Sequence, residues 1–65
     1  MKIIVNGEAL ENSAVTLAAL LDGLGKSEAK VATSVNETFV PKAQRASLTL
    51  QDGDRVEIVA PRQGG

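Results

Sequence analysis

The sequence contains no cysteine and no histidine among its 65 residues. The chain therefore has no disulfide, and it lacks the two side chains that proteins use most often as nucleophile, general base and soft metal ligand. Chains this short often gain stability from disulfides or a metal. Hydrophobic residues make up 43% of the chain and one Phe is its only aromatic residue, so we expect a core of packed aliphatic side chains.

An excess of positive charge and a long apolar run are also missing. Seven basic residues, scattered along the chain, stand against eight acidic ones, giving a formal net charge of −1. This pattern offers no platform for tracking phosphates or stacking bases, so we expect no nucleic-acid partner. The longest apolar run, Leu17 to Leu21, is far shorter than the roughly 20 residues of a membrane span. We expect a soluble, monomeric, cytoplasmic protein without membrane contact.

The first eleven residues predict a β-hairpin. Residues 2–5 are rich in β-branched side chains, and Asn6-Gly7 follows. This dipeptide favours a two-residue turn with positive φ at both central positions. Residues 8–11 form the predicted returning strand.

A short helix is predicted after the hairpin. Thr16 is a suitable N-cap, and Gly23 and Gly25 are stop signals. The apolar residues between them recur at helical spacing: Leu17, Leu20, Leu21 and Leu24. A helix this short is unstable alone in water, so we expect its apolar face to pack on a sheet.

The second half of the chain predicts further strands. Residues 31–36 alternate, residues 39–40 continue after a turn at residues 36–38, and Pro41 ends that segment. Residues 43–47 are ambiguous and compatible with a short helical turn. Residues 51–54 form a turn, and residues 55–59 form the last strand. The order hairpin, helix, strand, strand places the first and last strands side by side, an α+β arrangement of the β-grasp (ubiquitin-like) type, with a mixed four- to five-stranded sheet on one helix.

The chain ends in a segment, residues 60–65, that closes with Gly64-Gly65. We expect this tail to be flexible, and a frayed terminus is one interpretation of it. The other candidate motifs are weak: Gly23-Leu24-Gly25 suits helix termination better than phosphate binding, and residues 52–54 suit a turn better than calcium. The remaining reactive group is the carboxylate of Gly65, with Gly64 slim enough to enter a narrow channel. Such a carboxylate is ionised at pH 7 and needs activation, because its ordinary pKa is about 3.3–3.7.

Four stretches together resemble the ThiS family, the ubiquitin-like sulfur carriers of bacterial thiamine biosynthesis. They are residues 1–8, residues 35–42, the turn at residues 51–54 and the ending Gln63-Gly64-Gly65. The resemblance covers the whole chain and implies one β-grasp domain over residues 1–65. Family members usually have Gly where this chain has Glu37, which leaves the geometry of that turn open.

The resemblance also implies a reaction. A ThiF-type adenylating enzyme uses ATP and Mg to convert the carboxylate of Gly65 to an acyl adenylate, while the carrier itself binds no cofactor. A cysteine desulfurase and its persulfide relay then supply sulfur, giving a thiocarboxylate at Gly65. A ThiG-type thiazole synthase takes that sulfur for the thiazole ring. The chain is thus expected to be a co-substrate and not an enzyme.

Two alternatives remain open at this point. One is a sulfur carrier of the molybdopterin-synthase small-subunit type, which also ends in diglycine. The other is a β-grasp interaction module without covalent chemistry. For either carrier, outward positions near the tail such as Ile4 and Val59 are candidates for a partner surface, although scattered aliphatic residues are common on protein surfaces.

Overall fold

The last strand of the chain lies in the middle of the sheet. The computed structural model describes residues 1–26 and 30–60. The elements in chain order are β1 (Lys2–Val5), β2 (Glu8–Glu11), α1 (Leu17–Gly23), β3 (Ala32–Val35), β4 (Thr38–Val40), a 3-10 turn (Lys42–Gln44) and β5 (Arg55–Val59). The sheet has five strands in the order β2-β1-β5-β3-β4.

Strand pairing confirms the predicted mixed sheet. β1 and β5 are parallel, with Ile4 opposite Arg55 and Val5 opposite Val56. The other neighbours, β1 with β2, β3 with β4 and β3 with β5, are antiparallel. A parallel pair needs a long crossover between its strands, and here the crossover contains α1 and the second hairpin. The first and last strands are therefore neighbours, as the β-grasp prediction requires.

The helix is confirmed, but its apolar face is shorter than predicted. The Thr16 side chain accepts a hydrogen bond from the Ala19 amide at 3.2 Å, so Thr16 is the N-cap. Three of the four stripe leucines are buried, whereas Leu24 is 39% exposed. The reason is that α1 ends at Gly23, so Leu24 is already the C-cap residue and no longer follows the helical repeat.

The buried residues of α1 and the sheet form one core. Its members are aliphatic, as the composition predicted: Ile3, Leu17, Leu20, Leu21, Val35, Val40, Leu50, Val56 and Ile58. Burying one such side chain contributes roughly 1.5–3 kcal/mol, so the core compensates for the absent disulfides. The polar composition of residues 26–30 predicts a loop, and residues 27–29 of it lie outside the described residues. The ambiguous segment at residues 43–47 contains only the end of the 3-10 turn, which starts earlier, at Lys42.

Both hairpins turn through two residues with positive φ. The first turn has Asn6 at 49° and Gly7 at 84°, and the second has Asn36 at 51° and Glu37 at 72°. The second turn is thus tighter than the predicted turn at residues 36–38, because Thr38 already pairs with Val35. Glu37 adopts the left-handed conformation without being glycine, which costs an L-residue roughly 1–2 kcal/mol.

Arg45 is a buried cation in the loop after β4. Its side chain is 6% exposed. Nη2 donates to the Val31 carbonyl at 2.6 Å and Nε donates to the Thr33 hydroxyl at 3.2 Å. The Thr33 hydroxyl itself donates to the Val40 carbonyl at 3.0 Å. Arg45 therefore connects its loop to the start of β3 through directed hydrogen bonds.

We predict that Glu37→Gly stabilises the protein by about 1 kcal/mol. Glycine removes the left-handed strain, and the larger conformational entropy that it gives the unfolded chain offsets only part of this gain. The Arg55–Glu37 ion pair lost with it is 3.5 Å long with both side chains more than half exposed, and such pairs contribute little. Urea unfolding measures the change. Glu57→Gly, in the middle of β5, is the control and should destabilise; a loss of stability in Glu37→Gly would contradict the strain argument.

We predict that Arg45→Met destabilises the protein by about 2 kcal/mol, because hydrogen bonds from a charged donor to the Val31 carbonyl and the Thr33 hydroxyl are lost. The exposed neighbour Lys42 gives the control variant Lys42→Met, which should lie within about 0.5 kcal/mol of the parent. Thermal and urea unfolding compare the two. Equal stability of Arg45→Met and the parent would mean that the desolvation of the guanidinium cancels its hydrogen bonds.

Candidate functional site

The predicted reactive residues, Gly64 and Gly65, lie outside the described residues, as do residues 61–63. The structure describes the chain up to Ala60, which follows β5 directly. We call Ile58, Val59 and Ala60 the β5 end. Its geometry decides where and in which direction the chain leaves the sheet toward Gly65.

On the side of β1, the β5 end is held by one side chain. The Asn6 Oδ1 accepts a hydrogen bond from the Ile58 amide at 2.8 Å, and the Asn6 Nδ2 donates to the Ile58 carbonyl at 3.1 Å. β1 itself ends at Val5. Without Asn6, both main-chain groups of Ile58 would therefore lie beyond the last residue of the neighbouring strand.

On the side of β3, the β5 end is held by strand pairing. Thr33 lies opposite Ile58 and Ala32 lies opposite Val59. Arg45 binds the Val31 carbonyl and the Thr33 hydroxyl, so it fixes the part of β3 against which the β5 end packs. Two side chains therefore brace the β5 end. Asn6 bonds it directly on the side of β1, and Arg45 holds the part of β3 that pairs with it on the other side.

Three apolar side chains are exposed on the outer face of the sheet at or near the β5 end. Val59 is 61% exposed and Phe39 on β4 is 64% exposed. Both point away from the core, since their neighbours Ile58 and Val40 are buried. Ala32 on the intervening strand is also exposed. We call Ala32, Phe39 and Val59 the outer patch.

Ile4 lies away from the outer patch. It is half-buried and pairs with Arg55, four residues before Val59, which corresponds to roughly 13 Å along a strand. It belongs to a groove of about 190 Å³ on the sheet, lined by Ile4, Gly7, Glu37, Arg55, Val56 and Glu57. The structure therefore does not bring together the two residues grouped by the sequence hypothesis; only Val59 lies at the β5 end.

The segment at residues 52–54, for which the sequence favoured a turn over a calcium site, forms a turn. The Asp52 carboxylate accepts from the Lys2 amide at 2.7 Å, and Asp54 accepts from the Gln51 amide at 2.8 Å. Both carboxylates thus support the turn before β5. Among residues 1–26 and 30–60 no cluster of three potential metal ligands occurs, nor does any helix there have the length and apolar composition needed to cross a bilayer.

Sequence reasoning missed the roles of Asn6, Asn36 and Arg45. A signal for the first two was present, because Val-Asn occurs twice, at Val5-Asn6 and at Val35-Asn36. Each pair ends a strand that flanks β5. Nothing in the sequence indicates that Phe39, the only aromatic residue, is exposed on the sheet surface. For Arg45 the local sequence carries no such signal, since its partners are 12 and 14 residues away.

The comparisons with known proteins agree with one another and extend along the whole chain. The family model of the ThiS family matches residues 2–65. The chain is 33% identical to the sulfur carrier protein ThiS of Escherichia coli, with all of both chains covered. It is 46% identical to a thiazole synthase of Paramagnetospirillum magneticum, in an alignment that covers the whole chain.

The chain spans about a fifth of the length of the thiazole synthases that it matches, including one from Magnetococcus marinus at 39% identity. Among solved structures, the crystal structure of a thiamine biosynthesis protein (ThiS) from Geobacter metallireducens superimposes with a TM-score of 0.85. The two are 26% identical and both chains are covered completely. The matching family model, the full-length relative and the shared fold agree: the chain belongs to the ThiS family.

Proposed function

We propose that this chain is a sulfur carrier of thiamine biosynthesis and that the carboxylate of Gly65 is the group that carries the sulfur. The observation that supports this most directly is the 33% identity to the Escherichia coli sulfur carrier protein over the whole of both chains. The shared fold agrees with it, since the structure superimposes on that of a thiamine biosynthesis protein (ThiS) from Geobacter metallireducens with a TM-score of 0.85.

The proposed reaction replaces one oxygen of Gly65 by sulfur. The carboxylate attacks the α-phosphorus of ATP and displaces pyrophosphate, which makes AMP a good leaving group. The terminal sulfur of a persulfide then attacks the acyl carbon and AMP departs with the former carboxylate oxygen. A thiol cleaves the resulting acyl disulfide, so that the thiocarboxylate stays on Gly65 and the second sulfur ends in a disulfide. ATP and Mg belong to the adenylating enzyme, and the carrier contributes the acyl group.

Chain geometry limits how the carrier reaches its partners. Five residues separate Ala60 from the carboxylate of Gly65, and an extended chain spans at most about 3.4 Å per residue, or roughly 17 Å. A partner's reactive centre must lie within this distance of the β5 end. The absence of side chains on Gly64 and Gly65 allows a narrow entry that excludes water from the adenylate.

Three partners follow from this chemistry: an adenylating enzyme of the ThiF type, a cysteine desulfurase with its persulfide relay, and a ThiG-type thiazole synthase, all in the cytoplasm. The thiazole synthase is the best supported of the three. Two proteins of that name contain a stretch 46% and 39% identical to this chain. We infer that the carrier is a co-substrate in the pathway of the thiazole synthase and that its partners perform the catalysis.

The molybdopterin-type carrier and the non-covalent module differ from the proposed function in what happens at Gly65. A molybdopterin-type carrier shares the thiocarboxylate but passes its sulfur to another acceptor, and the match to the ThiS family favours the thiamine pathway. A purely non-covalent module leaves Gly65 unmodified. The sulfur-loading experiment below separates this module from both carriers, and transfer to thiazole synthase separates the carriers from each other.

We predict that the 65-residue chain, incubated with a ThiF-type enzyme, Mg-ATP and a persulfide donor, gains the mass difference between sulfur and oxygen at Gly65. Nucleotide activation is required because the ionised carboxylate is a poor acyl donor. Intact-mass and fragment-mass spectrometry measure the gain and its position. An unchanged mass under conditions that load the Escherichia coli carrier would exclude the sulfur-carrier function.

The matched control is the same chain extended by one Ala after Gly65. Its fold should be unaffected, since five residues separate the added Ala from Ala60, but the reactive carboxylate is displaced and a methyl group enters the channel. We expect no loading of the extended chain. Adenylation at the added Ala would show that the diglycine is not the recognised element.

We also propose that Val59 contacts the adenylating enzyme, because it is exposed and nearest to the tail within the outer patch; Ile4 remains a separate, secondary candidate. Val59→Asp should weaken binding about tenfold or more, since a desolvated charge replaces an apolar contact. Isothermal titration or surface plasmon resonance measures the affinity. The control is Ala19→Asp, exposed on α1, which packs on the opposite face of the sheet from Val59. Equal affinity of the two variants would remove Val59 from the interface.

A further inference from the structure

We propose that Asn6 is a positioning residue for the reaction at Gly65: its side-chain amide holds the β5 end in place and thereby sets the origin and direction of the tail. This inference rests on the proposed sulfur-carrier function. It goes beyond that function because it gives a part in the reaction to Asn6, a residue more than fifty positions from Gly65 in sequence. The carrying observation is the pair of hydrogen bonds between Asn6 and the main chain of Ile58.

The side chain of Asn6 takes the place of a peptide unit. In the parallel pairing of β1 and β5, the Ile4 amide donates to the Asp54 carbonyl at 2.9 Å and the Asn6 amide donates to the Val56 carbonyl at 2.9 Å. The ladder would next require an acceptor for the Ile58 amide and a donor for its carbonyl. At Asn6 the main chain turns away with φ of 49°. The carboxamide, which carries the same acceptor and donor as a peptide bond, completes the ladder instead.

A second asparagine bonds β5 at its opposite end. Asn36 also follows a neighbouring strand with positive φ. Its Oδ1 accepts from the Arg55 amide at 2.9 Å, whereas its Nδ2 donates to the Asp54 carboxylate at 3.0 Å and not to the main chain. The two asparagines thus have nearly the same φ, and each accepts a hydrogen bond from an amide of β5. They differ in position: Asn36 lies where β5 begins, and Asn6 lies where it ends and the tail departs.

This difference in position assigns different consequences to the two amides. Loss of the Asn6 amide leaves Ile58 without partners on the side of β1, so that the β5 end is held only through β3. Strand ends open locally at a lower cost than the whole fold. A β5 end that opens more often moves the starting point of the tail, and fewer bound complexes then hold Gly65 in the attack geometry that adenylation requires. Loss of the Asn36 amide loosens only the start of β5.

The test compares Asn6→Gly with Asn36→Gly. Glycine adopts positive φ without strain, so both turns are kept and only the amides are removed. For Asn6→Gly we expect hydrogen exchange of the Ile58 amide to become about tenfold faster, as expected for the loss of about one net hydrogen bond. In adenylation by a ThiF-type enzyme, kcat should fall about five- to tenfold while KM for the carrier stays within about twofold, because Val59 keeps its side chain and its pairing with Ala32 on β3.

For Asn36→Gly we expect faster exchange of the Arg55 amide with unchanged kcat and KM. A merely structural role of Asn6 would lower the stability of both variants alike and leave kcat of the folded protein unaffected. Equal kcat for Asn6→Gly and Asn36→Gly, with the parent active, would overturn the proposal. So would an unchanged exchange rate of the Ile58 amide in Asn6→Gly.

Asn6→Asp keeps the experiment decisive if glycine at position 6 prevents folding. This variant retains the acceptor for the Ile58 amide but replaces the donor by an oxygen facing the Ile58 carbonyl, so the same selective loss of kcat is expected. A parent chain that is never adenylated, although its Ile58 exchange depends on Asn6, would refute the sulfur-carrier function and with it the link to catalysis. An active parent with normal kcat in all Asn6 variants would refute only this inference.

Discussion

The structure depends on the pairing of β5 between β1 and β3. β5 is the last strand that the structure describes, yet it lies in the centre of the sheet and contributes Val56 and Ile58 to the core. Its partner β1 is about fifty residues earlier in the chain, so the two halves of the sheet become one only when the last strand is inserted. As a result, the chain leaves the sheet from its central strand, which is paired on both sides. A strand at the sheet edge would offer support on one side only.

A central strand needs hydrogen-bond partners along both edges, and the neighbouring strands are too short to supply them all. β1 and β3 have four residues each, whereas β5 has five. The two asparagines fill part of this deficit while the main chain already turns into a hairpin. Asn6 supplies an acceptor and a donor to Ile58, and Asn36 supplies an acceptor to the Arg55 amide. An unpaired buried amide or carbonyl costs about 1–3 kcal/mol. Asparagine is suited to both tasks, because it tolerates positive φ and carries a donor and an acceptor.

Much of this fold could be predicted from the sequence because its signals are local. Asn6-Gly7 specifies the first hairpin, Thr16 caps the helix, and alternation of Val56 and Ile58 with exposed residues marks the last strand. The order of these elements indicated the β-grasp topology, and the resemblance to the ThiS family implied the same fold. The candidate site was less predictable. The roles of Asn6 and Arg45 depend on partners 52 and 12 to 14 residues away, and hydrogen bonds over such separations leave no periodic pattern. The boundary at Leu24 was missed because the helix ended one residue earlier than the apolar repeat.

The combination of a fixed strand end with a short tail has a physical rationale. Under the proposed function, the five residues after Ala60 keep the carboxylate of Gly65 within roughly 17 Å of the β5 end, which gives it a high effective concentration near a docked active site. A longer connection or a looser β5 end would enlarge this range and lower the fraction of complexes in which the proposed partner holds Gly65. Asn6 and the pairing with β3 hold the β5 end, so that a partner needs to position only the residues that follow it.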